Sequence, residues 1–393
     1  MMHGFEFYTP TRVIFGAGSL EKLPEAVGRC GAKRVFVIYG GQSAKKSGTL
    51  DRVEALLTGA GIAFAAIGGV KPNPRLGLAR EAVRQAVAFG ADLILAVGGG
   101  SVIDTAKATA HGTANPEADI WDIWMGKVKL EKSLPVGVVL TIPAAGSEMS
   151  DSAVLTDEAA LAKRGLNTDL NRPAFALMDP ALAATLPARQ AACGVTDIMM
   201  HTLERYVNPL ENDMTDEIAE ALLRVVIRHG EAVVKNPSNI DAMSEIMWAG
   251  SLSHNNLTGL GGKKDFSVHQ FGQAVGEKFD IYHGETLSAM WASYARYVAP
   301  TNFARFARYA RNVWGVEEAD DEKAAVAGID ATEAYFKRLG MPVRIAELSC
   351  GVQDEAGLYD LALRCSRNRG RTIGSFRVLD FEDMLKVYQM ANK

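Results

Sequence analysis

Residues 92–107 read DLILAVGGGSVIDTAK, and this stretch decides the fold of the first half of the chain. An apolar run ends in three glycines, and a helical pattern starts at Ser101. The pattern predicts a buried strand, a glycine turn and a helix N-terminus. Glycines let the backbone approach a pyrophosphate, and the free amides of a helix start attract its charge. We therefore predict a phosphate-binding turn, while Ser101 and Asp104 also form a capping pattern.

The spacing of these glycines limits what the turn reveals. It matches neither G-x-G-x-x-G nor G-x-x-x-x-G-K-[ST], the two common phosphate-binding patterns. The sequence thus supports a phosphorylated ligand and leaves its identity open at this point.

Similar strand-like runs lie on both sides of this stretch. They begin at Val35 (VFVIYGG), Ile62 (IAFAAIGG) and Val136 (VGVVLTIPA), and the amphipathic run LGLAREAVRQAVAFG begins at Leu76. Apolar strands that alternate with helices predict a parallel sheet covered on both faces. The first half of the chain is therefore expected to be a Rossmann-like α/β domain.

The second half has a different pattern. From Pro187 onward the strand patterns give way to long helical ones, such as DEIAEALLRVVIRHGEAVV from Asp216. We predict an α/β domain over residues 1–186 and an all-helical domain over residues 187–393, since a chain of this length suits two domains.

Composition excludes several classes of protein. The chain of 393 residues is 48% hydrophobic and 22% charged, with a net charge of −4, which indicates a globular protein without a nucleic-acid or membrane-surface signal. The N-terminal residues lack the pattern of a secretory leader, and apolar runs are too short to span a membrane, so we predict a cytoplasmic protein. The cysteines show no C-x-x-C spacing and are expected to be reduced, structural thiols.

Four side chains suggest a metal site. Asp197 and His201 are four residues apart in a predicted helix over 189–207, so both lie on one helix face. His269 and His283 follow further along the chain. One carboxylate and three imidazoles suit Fe(II) or Zn(II) better than Ca(II) or Mg(II). The Asp-x-x-x-His pair also occurs by chance, so the prediction of a metal site depends on all four residues together.

Longer runs resemble a known family. GGGSVIDTAK at 98–107, TIPAAGSE at 141–148 and MDPALAATLP at 178–187, together with the Asp-His-His-His set, resemble the iron-containing (group III) alcohol dehydrogenases. YGGQSAKKSG at 39–48 is similar to the branch of NADPH-dependent butanol dehydrogenases and broad-range aldehyde reductases. The resemblance implies a dehydroquinate-synthase-like fold, in which the α/β domain over residues 1–186 binds a dinucleotide and the helical domain over residues 187–393 binds a metal. It also implies reversible chemistry between alcohols and aldehydes, and a homodimer.

The resemblance also implies a set of site residues. The metal ligands are Asp197, His201, His269 and His283. The cofactor groove is expected to contain Gly40, Gly41, Ser43, Asn73, Gly98, Gly99, Gly100, Ser101, Asp104, Thr141, Ser147, Lys163 and Leu182.

The end of the first apolar strand bears on the cofactor. Enzymes that select NAD commonly place an acidic side chain there, which binds the ribose and repels the extra phosphate of NADP. Here the chain reads Gly40, Gly41, Gln42, Ser43, without an acid. Ser43 can donate to a 2′-phosphate, with Lys45 following closely, although most such lysines only start a solvated helix. We predict NADP(H), with NAD(H) as the alternative.

The expected chemistry is hydride transfer between a nicotinamide and a substrate carbon, with a divalent ion that polarises the substrate oxygen. Many relatives carry a further histidine four residues after the third ligand, and this chain has Gln273 there. Glutamine does not titrate near neutral pH, so we expect Gln273 only to hold a hydrogen bond to the substrate or the cofactor. The proton then travels through water or the cofactor ribose.

Other histidines and one glutamate are further candidates for the metal site. His254 is expected to be structural, Glu285 is a candidate carboxylate for orienting His283, and nothing converges on His111 in the sequence. Four alternative functions share parts of the pattern: an NAD-linked polyol dehydrogenase, a dehydroquinate-synthase-like lyase, a metallohydrolase and a nucleotide-binding sensor. The lyase needs a basic pocket, the hydrolase needs no nucleotide turn, and the sensor needs no metal ligands.

Overall fold

The computed structural model describes residues 3–160 and 162–393. Met1, Met2 and Leu161 lie outside the described residues, although the predicted 1–186 domain includes them. The chain divides into two compact units: Tyr8–Leu186 with Pro237–Ser251, and Pro187–Asn236 with Leu252–Lys393 and the chain up to Phe7. Two short segments lie in the unit on the other side of Leu186: the chain up to Phe7, and Pro237–Ser251. The predicted domains 1–186 and 187–393 therefore stay predictions.

The first unit contains the described strands together with several helices. Its strands are β1 (Arg12–Phe15), β2 (Arg34–Tyr39), β3 (Ala63–Ile67), β4 (Leu93–Gly98), β5 (Val136–Leu140), β6 (Ser152–Asp157), β7 (Ala162–Asn167) and β8 (Phe175–Met178). Its helices are α1 (Leu23–Arg29), α2 (Ser43–Lys46), α3 (Thr49–Gly59), α4 (Leu76–Phe89), α5 (Gly100–Ala114) and α6 (Ile120–Trp124).

The main sheet of the described residues is parallel, with strand order β1-β8-β5-β4-β2-β3. The chain runs outward from β2 to β3 and then returns to place β4 on the other side of β2. The carboxyl ends of β2 and β4 therefore flank a point where the strand order reverses. Open α/β sheets bind ligands in the crevice at such a point. The predicted parallel sheet is confirmed.

Both faces of this sheet are covered, as the apolar strands predicted. The residues of β4 and β5 are all buried. One core cluster packs side chains of α1 and α3 against β2, β4 and β8, including Leu23, Val53, Val37, Leu95 and Leu177. The hairpin β6–β7 is antiparallel and separate from the main sheet.

His111 is a polar exception in this unit. The sequence suggested that nothing converges on it, and that interpretation is wrong. His111 is fully buried in α5, with Nδ1 2.8 Å from Ser133 Oγ and Nε2 2.8 Å from Asn171 Oδ1. Burial lowers its pKa to about 4, so the ring is neutral at physiological pH.

The second unit is helical, as predicted. Its helices are α7 (Ala188–Tyr206), α8 (Asp213–Lys235), α10 (Ser267–Phe279), α11 (His283–Val298), α12 (Phe303–Trp314), α13 (Asp321–Arg338), α14 (Glu355–Cys365) and α15 (Phe381–Ala391). A further helix, α9 (Ile240–His254), is divided between the two units at Ser251.

Aromatic side chains form much of the helical core. Phe271 of α10 lies edge-on to Tyr388 of α15, with ring centroids 5.1 Å apart, and both side chains are fully buried. A buried ion pair ties α12 to α8, because Arg305 donates two hydrogen bonds of 2.6 Å to the carboxylate of Asp216. The same guanidinium lies 3.8 Å from the ring centre of Tyr206, so it is enclosed on several sides.

All four cysteines, Cys30, Cys193, Cys350 and Cys365, are free thiols, as expected. Among the described residues, every helix is too short or too polar to cross a membrane.

Candidate functional site

The carboxylate of Asp197 is the centre of the candidate metal site. Its Oδ1 lies 3.7 Å from Nε2 of His201, 3.6 Å from Nε2 of His269 and 3.9 Å from Nε2 of His283. Ligand atoms of Asp197, His269 and His283 all lie within 4.8 Å of one another. The structure thus places all three imidazoles near one oxygen of Asp197, while the mutually close group comprises Asp197, His269 and His283 without His201.

Three helices position these groups. Asp197 and His201 are one turn apart on α7, His269 lies in the first turn of α10, and His283 is the first residue of α11. Asp197 and His201 are buried, whereas the side chain of His283 is 32% exposed. The α7 pair forms the floor of the cluster, and His283 is its most accessible member.

The α7–α11 contact is especially close. Gly284 follows His283, and a Cβ at this glycine would lie 2.6 Å from both the Cα and the carbonyl oxygen of Cys193 on α7. Real side chains essentially never approach backbone so closely, so the residue after His283 has to be glycine if the two helices keep this spacing.

The distances and the chemistry of the donors fit a divalent ion. Metal–nitrogen bonds of about 2.0–2.1 Å place neighbouring ligand atoms of a tetrahedral site roughly 3.4 Å apart, slightly less than the spacings seen here. Nε2 of His269 is buried and has no hydrogen-bond partner within residues 3–160 and 162–393. Buried nitrogens normally have a partner, so this atom calls for one that the protein does not supply.

Electrostatics also favour a cation at this position. Burial, together with the neighbouring imidazoles of His254 and His269, holds the pKa of His201 well below its usual range, so His201 is neutral, as a ligand must be. Burial acts in the same direction on His269, but the carboxylates of Glu204 and Asp197 outweigh it and raise the pKa of His269 to about 9. The carboxylates therefore stabilise positive charge beside His269.

Two further residues lie near the cluster. The ring centre of His254 lies 3.9 Å from that of His201, and the expected structural role of His254 stays a prediction. Glu285 was a candidate for orienting His283, but its carboxylate accepts hydrogen bonds of 2.5 and 2.8 Å from Arg189. Glu285 is thus engaged in an ion pair at the start of α7.

Gln273 lies on α10, one turn after His269, and is half-buried. Its side-chain amide donates a 3.2 Å hydrogen bond to Glu277, one turn further along the helix. This bond runs along the helix, so the expected hydrogen bond of Gln273 to substrate or cofactor stays a prediction.

The glycine turn lies at the carboxyl end of β4, next to the end of β2. A Cβ at Gly98 would lie 2.5 Å from Cγ2 of Val102, and a Cβ at Gly99 would lie 2.7 Å from Cβ of Ile142. Close packing of strand, turn and helix therefore requires both glycines. Helix α5 starts at Gly100, so its first amides are placed at the reversal point of the sheet.

The capping interpretation of Ser101 and Asp104 is wrong. The N-cap of α5 is Gly99, which has no side chain, and Ser101 lies inside the helix. Asp104 instead accepts hydrogen bonds from Ser147 Oγ at 2.7 Å and from the amide of Val154 at 3.0 Å. Burial raises the pKa of Asp104, an effect that these bonds partly offset.

Lys107 completes this buried network, and sequence reasoning missed it. It is fully buried, and its ammonium donates to Ser147 Oγ at 2.9 Å and to the carbonyl oxygen of Ser152 at 2.7 Å. Burial lowers its pKa to about 8. Asp104, Ser147 and Lys107 together fix α5 against the segment that follows β5.

The other predicted cofactor residues lie at several places in the first unit. Lys163 on β7 donates a 3.1 Å hydrogen bond to Asn73, so these two predicted residues are neighbours. The amide of Thr141 donates to the carbonyl oxygen of Gly98 at 3.1 Å, and Leu182 packs against the core cluster beneath the sheet. The remaining three, Gly40, Gly41 and Ser43, follow β2 or begin α2.

Comparison with known proteins gives consistent results over the whole chain. Residues 10–180 match the family model "Iron-containing alcohol dehydrogenase", and residues 190–392 match "Fe-containing alcohol dehydrogenase family, C-terminal". The chain is 36% identical over 391 residues to NADH-dependent butanol dehydrogenase A of Clostridium acetobutylicum, covering 99% of both proteins. It is 35% identical over 349 residues to the NADPH-dependent aldehyde reductase YqhD of Escherichia coli, covering 88% of this chain and 89% of that protein.

A solved structure agrees as well. The crystal structure of NADH-dependent butanol dehydrogenase A from Thermotoga maritima superposes with a TM-score of 0.95 at 32% identity, covering 100% of this chain and 99% of that one.

Proposed function

Because this chain belongs to the iron-containing alcohol dehydrogenase family, and is thereby an oxidoreductase that acts on CH–OH groups, we propose that it interconverts small primary alcohols and aldehydes of the butanol and butanal type. The observation that carries the proposal is the convergence of three imidazole nitrogens on one oxygen of Asp197, at 3.6 to 3.9 Å.

In this proposal Asp197, His201, His269 and His283 hold one divalent ion, Fe(II) or Zn(II). When bound, the ion supplies a Lewis acid for the oxygen of the substrate. The protein contributes the geometry: α7 fixes two of the ligands, and the tight α7–α11 contact at Gly284 sets the position of a third.

The cofactor in this proposal is NADP(H). Its pyrophosphate would bind the amides of the glycine turn before α5, and its adenosine ribose would lie at the end of β2, near Gly41 and Ser43. The stretch that follows β2 carries no carboxylate to repel a 2′-phosphate. Relatives of similar identity bear names with both NADH and NADPH, so residues 40–43 of this chain are the basis for the choice.

A single substitution tests the preference. Ser43→Asp places a carboxylate where the 2′-phosphate is expected, and Ser43 is exposed, so the fold tolerates the change. We expect the dissociation constant for NADPH, measured by fluorescence titration, to rise at least tenfold while that for NADH changes little. Equal effects on both cofactors would contradict the assignment.

Proton delivery is proposed to bypass side-chain acids at position 273. Gln273 holds a hydrogen bond along α10, and the proton reaches the substrate oxygen through water or the cofactor ribose. Gln273→His is therefore expected to leave the pH profile of turnover unchanged. A strong rise in turnover with a new ionisation near pH ~6–7, the range of an ordinary histidine, would show that a relay had been missing.

The main experiment follows the absorbance of NADPH when butanal is added to metal-replete protein, with and without a chelator. We expect consumption that the chelator abolishes, and the same loss in His201→Ala. His229→Ala, a change on α8 outside the cluster, serves as the matched control and should retain activity. If metal-replete protein consumed no NADPH with any short aldehyde, the proposal would be wrong. Parallel assays with NAD and 1,3-propanediol test the polyol alternative.

Assembly and location complete the proposal. We propose a cytoplasmic homodimer, supported by the free thiols, which suit a reducing compartment, and by the family resemblance. Light scattering of the purified protein tests the dimer: a mass of one chain, about 42 kDa, would contradict it.

A further inference from the structure

A second carboxylate lies beside the metal cluster. Glu204 is fully buried near the end of α7, and its Oε2 is in hydrogen-bond contact with Nδ1 of His269. The nitrogen of His269 that faces Asp197 is the other one, Nε2. Glu204 thus holds one ring nitrogen of His269, while the other nitrogen faces the cluster.

Glu204 also binds the start of helix α10. Its Oε1 accepts hydrogen bonds from the amides of Val268 at 2.6 Å and His269 at 3.2 Å, which are among the first amides of the helix. The N-cap residue, Phe266, has the left-handed φ of 57° and makes no side-chain cap bond among the described residues. Glu204 therefore caps α10 from a neighbouring helix.

Spacing explains how one helix supplies all these groups. Asp197, His201 and Glu204 follow one another at intervals of four and three residues, which places them on one face of α7. The first two belong to the metal cluster, and Glu204 contacts the ring nitrogen of His269 that points away from it. A rigid helix therefore fixes the ring of His269 relative to the ligands that it joins.

We propose that Glu204 is a positioning residue that keeps the proton of His269 on Nδ1 and so leaves Nε2 free to bind the divalent ion. The inference rests on the proposed metal function. Metal-binding histidines commonly donate their second ring N–H to a carboxylate, which fixes the tautomer and orientation of the ring. Here the carboxylate performs this task and caps the ligand-bearing helix with its other oxygen.

Glu204→Gln separates the two tasks. The amide oxygen of glutamine still accepts from the amides of Val268 and His269, so the helix keeps its cap. The amide nitrogen is a donor and faces Nδ1, which then has to accept, so that the proton moves to Nε2 and blocks the metal. Glu220→Gln is the matched control, because Glu220 is equally buried and bonds to Tyr206 and Arg308 without touching a ligand.

The measurement is the dissociation constant for Zn(II), from competition with a chromogenic chelator, with NADPH binding and the melting temperature of the metal-free protein as companions. We expect Glu204→Gln to weaken Zn(II) binding by about 10- to 100-fold and to leave NADPH binding unchanged. Glu220→Gln should bind Zn(II) like the unmodified protein. Zn(II) binding within twofold of the unmodified protein in Glu204→Gln would overturn the inference.

A measurement on the unmodified protein guards against a variant that does not fold. In zinc-loaded protein labelled with ¹⁵N-histidine, the spectrum of His269 should show a proton on Nδ1 and a zinc-shifted Nε2. Zinc on Nδ1 would overturn the role of Glu204. If the unmodified protein failed to bind Zn(II) or Fe(II) at all, the proposed function itself would fail, which keeps the two failures distinguishable.

Discussion

Replacing Gly284 with alanine tests whether helix packing sets the metal geometry. The new Cβ would lie 2.6 Å from the backbone of Cys193, and ordinary contact begins at 3.4 Å, so α11 has to move away from α7 by the difference, about 0.8 Å. Backbone atoms of a helix cannot rotate aside as a side chain does. His283 immediately precedes the substitution, and its Nε2 already lies 3.9 Å from Asp197 Oδ1.

This displacement predicts two measurable effects. Overpacking of a tight contact costs about 1–3 kcal/mol of the free energy of unfolding. At roughly 2–4 °C per kcal/mol for a domain of this size, the melting temperature of the metal-free protein should fall by about 4–8 °C for a cost near the middle of that range. Because His283 moves outward with α11, we also expect Zn(II) binding to weaken by about tenfold or more, measured by chelator competition.

Gly276→Ala is the matched control for this experiment. Gly276 lies inside α10, and the nearest atom to its added Cβ is the carbonyl oxygen of Ile281 at 3.8 Å, an ordinary contact. Alanine is favoured over glycine in a helix by about 0.5–1 kcal/mol, so this variant should melt at the same temperature or slightly higher. A Gly284→Ala protein that matched the control in both melting temperature and Zn(II) binding would refute the reasoning.

Three further predictions concern the two units separately. Gly98→Ala drives a Cβ to 2.5 Å from Val102 and should weaken NADPH binding at least tenfold in a fluorescence titration, whereas unchanged binding would mean that the turn tolerates a side chain. Burial lowers the pKa of His111 to about 4 in the folded protein, against about 6.5 in the unfolded chain, so the free energy of unfolding is highest above pH ~6.5 and decreases as the pH falls toward 4. Glutamine does not titrate, so His111→Gln should avoid on the order of 2–3 kcal/mol of this decrease, measured in urea titrations. Parallel curves of unfolding free energy against pH for the two proteins would contradict this. Asp216→Asn leaves the buried charge of Arg305 without its partner and should destabilise the protein by about 3–5 kcal/mol in the same titrations; a loss below about 1 kcal/mol would show that the pair is dispensable.

The fold could be predicted where the strands are long and apolar. Runs beginning at Val35 and Asp92 became β2 and β4, because a strand buried on both faces needs continuous apolar residues. The four-residue strands β1 and β8 were not anticipated, because such short runs carry little periodicity. The hairpin β6–β7 was missed for another reason: β7 reads AKRGLN, which is largely polar.

The candidate site was predictable to a similar degree. The four metal-binding candidates were found from residue type and spacing, and the structure brings them together. Glu204 was missed even though its spacing from Asp197 and His201 contained the signal, because its partner is a residue 65 positions away. Ser101 and Asp104 fit a capping pattern, but the helix starts earlier, at Gly100, and a tertiary network engages the aspartate.

The stretch after β2 has a consequence for protein engineering. Gln42, Ser43, Lys45 and Lys46 are exposed, and Ala44 is the buried residue among them. The strand order, and not these side chains, fixes where the crevice lies. Cofactor preference can therefore be redesigned on a surface that contributes little to folding, where exposed substitutions usually change stability by less than about 0.5 kcal/mol. Libraries at these four positions should therefore yield mostly folded proteins.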